Sequence, residues 1–146
     1  MKKFEEFIKN GIVNKQSPNK NRALALIKEA EEKKIFLDLS LSSIPKDKMN
    51  ANFIIDYCYD ILMEILRAKM FLEGYNAGNS HEAEVAYLKV LGFSEADVTF
   101  MDELRYYRNG TKYYGTILDK AYAEKSLIFM NKNYPKIKRL INIKTP

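Results

Sequence analysis

An all-α fold, a helical bundle of about five to six helices, is predicted by three features of the sequence. Apolar residues recur at helical spacing along almost the whole chain, strand-like alternation is nearly absent, and Gly, Pro, Asn and Ser stand at intervals that suit helix ends. A short first helix covers about residues 3–10. The polar connection GIVNKQSPNK, with Gly11 and Pro18, leads into a second helix over about 19–42, where Ala23, Leu24, Ile27, Ala30 and Ile35 supply the apolar face. Pro45 ends that unit. Asn50 is placed to cap a long third helix that runs to Gly74, a residue suited to a helix C-terminus. A fourth helix follows over about 80–91, with Asn79 as its cap, and stops at Gly92. Ser94 and Asp97 form an S-x-x-D capping signal for a fifth helix, 95–109, ended by Gly110. The last helix starts near 114–116 and reaches about 143, with Pro135 expected to kink or break it.

The 146 residues bound the answer to a single domain, 1–146, large enough to bury a core without disulfides or a structural metal. One Cys excludes a disulfide framework, zinc fingers and iron–sulfur clusters, and Cys58 reads as a buried small hydrophobe. The most apolar stretch, 53–72, carries Asp56, Asp60, Glu64, Arg67 and Lys69, so it is not expected to span a membrane. The first ten residues, MKKFEEFIKN, lack the apolar run and cleavage site of a secretory signal, so a cytoplasmic protein is expected.

Net charge is +5, and its distribution is uneven. Up to Glu73 there are 13 basic residues against 11 acidic; from Gly74 to Glu124 there are 5 against 8. Beyond Glu124 stand six basic residues and no acidic one, a run that can contact phosphates or simply complement a helix C-terminus. Asp56, Asp60 and Glu64 recur every four residues, which places three carboxylates along one helix face, as a solvated stripe or as partners for cations across the bundle. On the other side, Phe53, Tyr57 and Ile61, with Ile54, Cys58 and Ile65, read as core or as a dimer interface.

The densest chemical feature is MDELRYYRNGTKYYGT, residues 101–116. The expected helix–turn–helix junction brings Arg105, Arg108, Asn109, Lys112, Tyr113 and Tyr114 within reach of one small volume. An arginine fork suits a phosphate bidentately, and backbone N–H groups at the next helix start favour an anion. The structural alternative is that the arginines cap carbonyls of their own helix while the tyrosines pack inward. His81, in NSHEAE, is the chain's one imidazole; it is either a base for the Arg108 site or a surface or packing residue. Metal ligation is not expected, because HEAEV lacks the second His of H-E-x-x-H.

The order of these features resembles the HEPN domain, the helical higher-eukaryote and prokaryote nucleotide-binding domain. The resemblance covers most of the chain. Its more specific parts are GY…SHEA…YL and LRYYRNGTKYYG, and Arg108 and Asn109 match the first two positions of the family's R-x4-6-H motif. It implies a homodimer pairing with a minimal nucleotidyltransferase, binding RNA or a nucleotide, in a toxin–antitoxin or defence system, with no cofactor. Active members are metal-independent ribonucleases in which the Arg and His of two subunits meet and the RNA 2′-OH attacks the adjacent phosphate.

The sequence departs from the motif at its His. That position falls at Tyr113 or Tyr114. A phenol with an ordinary pKa near 10 is ionised in only about one molecule in a thousand at pH 7, whereas an imidazole near 6.5 is mostly basic. General acid–base catalysis is worth roughly 10²- to 10⁴-fold, so this loss favours a non-catalytic binding module over a ribonuclease acting through Arg108, Asn109, Tyr113 and His81. In either reading Arg105, Lys112 and Tyr114 serve as ligand-binding groups.

Overall fold

The computed structural model describes residues 1–113 and 118–141, with backbone alone for 110–113. Six α-helices are described: α1 (Phe4–Lys9), α2 (Lys20–Ser43), α3 (Ala51–Leu72), α4 (His81–Val90), α5 (Glu95–Tyr113) and α6 (Lys120–Arg139). The predicted all-α bundle is the observed fold. No described helix is long and apolar enough to cross a membrane.

Helix α3 is the axis of the bundle because it is apolar almost all round. Ile55, Ile61, Leu62, Ile65, Leu66 and Met70 are all but fully buried, and α2, α4, α5 and α6 each pack against it. Asn50 caps it as expected, its side chain accepting from the Phe53 N–H at 3.0 Å. In α2 the buried residues are Ala23, Ile27, Ala30 and Leu37. Ile35, expected on that face, is 61% exposed. The phase explains the correction, since at about 100° per residue Leu37 falls back on the Ala30 side while Ile35 lies roughly 140° away. Cys58 is buried as expected, and burial pushes its thiol up to about 12. A thiol reagent at pH 8 should therefore modify the native chain only as fast as it opens; rapid stoichiometric labelling without denaturant would contradict this burial.

The helix ends differ from expectation in four places. Ser80, not Asn79, caps α4, accepting from the Ala83 N–H at 3.2 Å. Helix α5 passes through Gly110 and reaches Tyr113. A glycine inside a helix costs only about 1 kcal/mol against alanine, too little to end a helix whose neighbours continue it. Helix α6 begins at Lys120 under an Asp119 cap, whose Oδ1 accepts from the Tyr122 N–H at 2.8 Å, and ends at Arg139. Pro135 sits inside α6 without breaking it. Buried Asn133, Tyr134 and Ile137 hold that turn in the bundle, and this packing outweighs the one hydrogen bond that a proline forfeits.

One feature has no sequence precedent. Asn14–Lys15 (β1) and Tyr75–Asn76 (β2) pair as a two-residue antiparallel bridge, tying the α1–α2 connection to the turn after α3. Gly74 makes this approach feasible. Its φ is +80°, and a Cβ there would stand 2.4 Å from the Gln16 carbonyl oxygen.

Candidate functional site

Two clusters of charged side chains lie against α3. The first contains Arg108. In α5 it faces the α3 carboxylate stripe: its Nε and Nη2 reach the two Asp60 oxygens at 3.4 Å each, and Nε lies 3.7 Å from Asp56 Oδ1. These are long contacts beside the roughly 2.7–2.9 Å of a tight guanidinium–carboxylate fork. The cluster is half-buried, and among the described residues Arg108 is the cation that faces Asp56 and Asp60. The third carboxylate of the stripe, Glu64, turns the other way and pairs with Lys33 of α2. Burial holds the Glu64 carboxyl above its ordinary range although Lys33 pulls it down. The stripe is thus a set of interhelical partners rather than a solvated face.

The remaining residues of the 101–116 segment are distributed differently from expectation. Arg105 is bound within its own helix, Nε to Asp102 Oδ1 at 2.7 Å, so it meets a side chain rather than a helix carbonyl. Asn109 is exposed. Lys112 and Tyr113 lie on α5 itself and not on a following helix, because Gly110 does not reverse the chain. Position 112 is then one helical turn from Arg108, while 113 is displaced around the axis. The side chains of Lys112 and Tyr113, and all of Tyr114, lie outside the described residues. Of the tyrosine pairs, Tyr106 is 70% exposed, and Tyr107 packs edge-on against Tyr122.

The second cluster is built on His81 and was not visible as a unit in the sequence. Glu84 is buried, and Arg67 of α3 grips it with Nε at 2.5 Å and Nη2 at 2.9 Å. His81 Nδ1 lies 3.1 Å from Glu84 Oε1. Burial alone would raise the Glu84 carboxyl, but the bonds from Arg67 and His81 outweigh it and hold the group below its ordinary value. Beside them Tyr59 faces the His81 ring at 6.5 Å, its phenol pushed up by burial and then by Glu84. His81 is therefore engaged by the carboxylate three residues on in its own helix, and Arg108 by α3. One signal for this cluster was present: Arg67 interrupts an apolar helix and so requires a buried partner.

The basic C-terminal run is also split. Lys138 pairs with Glu31 of α2 at 2.7 Å, whereas Lys132, Lys136 and Arg139 share a cleft with Ser94 and Asp97 at the start of α5. Among the described residues no group of three His, Cys, Asp or Glu is placed to hold a metal ion.

Comparison of the chain with protein-family models, with curated proteins and with solved structures returned no match.

Proposed function

We propose that this chain is a HEPN-like module that dimerises and binds RNA, a nucleotide or a partner protein, in a toxin–antitoxin or defence system built around a minimal nucleotidyltransferase. The observation that carries the reading is the position of Arg108, the motif arginine, facing Asp56 and Asp60 on the central helix. Cations contributed by a second copy would add to Arg108 at this place and favour an anionic ligand there.

An apolar strip gives the second copy somewhere to sit. Ile35, Phe36 and Leu39 are 61%, 52% and 60% exposed, and Phe36 leads into the Phe53–Tyr57 pair, whose rings are 4.7 Å apart next to Asp56. Covering this strip would remove apolar area from water beside the Arg108 cluster.

The expected result is a dimer at micromolar concentration by size-exclusion with light scattering, reduced to monomer by Phe36→Glu. RNA cleavage by the native chain is expected to be weak, resistant to EDTA and lost in Arg108→Ala, while Tyr113→His raises it. A clean monomer would remove the composite site. Robust metal-independent cleavage that survives Arg108→Ala would overturn the site assignment and place any ribonuclease activity elsewhere.

A further inference from the structure

Between the first turn of α2, the end of α3, the β1–β2 bridge and the start of α4 lies a polar cleft of about 410 Å³, separate in its residues from the Arg108 cluster. Arg22, Arg67, Asn79, His81 and Glu84 line it. Arg22 is held by stacking: its guanidinium carbon sits 4.3 Å from the centroid of the Phe71 ring. No carboxylate among the described residues pairs with this guanidinium. Its orientation is therefore restrained by an aromatic face while its donors remain available, which is the condition for bidentate capture of an oxyanion.

Arg67 and Glu84 neutralise each other inside the wall of the cleft, so Arg22 leaves its charge sum positive. Glu84 also orients the imidazole. A neutral His81 that donates from Nδ1 to Glu84 Oε1 presents Nε2 as an acceptor, and a protonated one presents Nε2–H as a donor. Either state suits a phosphate group, which carries one exchangeable proton near neutral pH and can share it with Nε2. A guanidinium together with a carboxylate-oriented imidazole can hold such a group in either protonation state. The volume also matches a ligand of nucleotide size.

We propose that this cleft binds a phosphate group, free or as the monoester of a nucleotide, with Arg22 as the anion fork, His81 as the proton-sharing partner and the Arg67–Glu84 pair as positioning residues. The site does not depend on the Arg108 reading, and each can fail alone.

The chain has one His, so its imidazole resonances report on this cleft without ambiguity. Inorganic phosphate, AMP and adenosine are titrated at fixed pH and ionic strength, with chloride as reference. Phosphate and AMP should shift the His81 ring signals saturably, and adenosine and chloride should not. Arg22→Gln, a substitution at an exposed position whose fold is checked by circular dichroism, should weaken both ligands by about tenfold or more, the effect of losing a charge-assisted hydrogen bond. Arg22→Lys should restore only part of the affinity, because it returns the charge without the fork. The His81 response alone should be the same in Arg108→Ala, whatever that variant does to binding at its own cluster. His81 signals that stay still with phosphate and AMP, that move equally in Arg22→Gln, or that respond to adenosine as to AMP would each overturn the proposal.

Discussion

Replacing Arg67 with Met should lower the free energy of unfolding by about 3–5 kcal/mol, the usual cost of leaving one member of a buried ion pair without its partner. Glu84 is the group left behind. Its side chain is only 2% exposed, and Arg67 supplies two of its three close contacts. The pH dependence should change sign as well. In the native chain the folded carboxyl is held below its unfolded value, so the stability it contributes is complete above the ordinary carboxylate range and is lost as pH falls through the folded value. Without Arg67 the burial effect dominates and raises the folded carboxyl. The variant should then gain stability, relative to the native chain, as pH falls from neutrality towards 5. Urea unfolding of both proteins at several pH values measures this directly. Exchanging both partners for apolar residues of similar size should recover most of the loss. A single variant that loses no more than an exposed substitution, with an unchanged pH slope, would show that the pair is not buried as described.

Gly74→Ala should cost about 2–3 kcal/mol. Two causes add. A φ of +80° is strained for any residue with a Cβ, by roughly 1–2 kcal/mol. The new Cβ would also meet the Gln16 carbonyl oxygen at 2.4 Å, which is backbone and cannot swing aside, so the 2.8 Å bond from the Gln16 N–H to the Gly74 carbonyl must open. Gly11 is the internal control, with φ +77° and open space around the added carbon. Gly11→Ala should show only the conformational part, about 1–2 kcal/mol. Equal losses at both glycines would mean that the close approach of Gly74 to Gln16 adds no cost on substitution.

Helix existence and most helix starts were legible because their causes are local. Asn50 and Ser94 cap through side chains three residues from their partners, and the long apolar run of α3 requires burial whatever surrounds it. The helix end expected at Gly110 and the break that was one alternative at Pro135 do not form, for the opposite reason. A glycine or proline signal there competes with packing of α5 and α6 on the rest of the bundle, and a local reading does not weigh that packing.

The candidate site divides along the same line. Sequence by itself determined which residues carry charge on apolar helices: the Asp56, Asp60 and Glu64 stripe, Arg67, and the arginines of 101–116. It left open whether each is solvated or paired, although an ionised group in an apolar environment is costly alone. Only the tertiary structure decided the pairing. Arg108 meets Asp60 across 48 residues of chain and Asp56 one turn before it, Glu64 turns to Lys33, and Arg67 closes on Glu84, which in turn takes His81. The spacing within one helix says which side chains share a face. Which other helix lies over that face depends on how α2, α4 and α5 are arranged around α3, and that arrangement is set by the apolar packing of the whole bundle rather than by any segment of it.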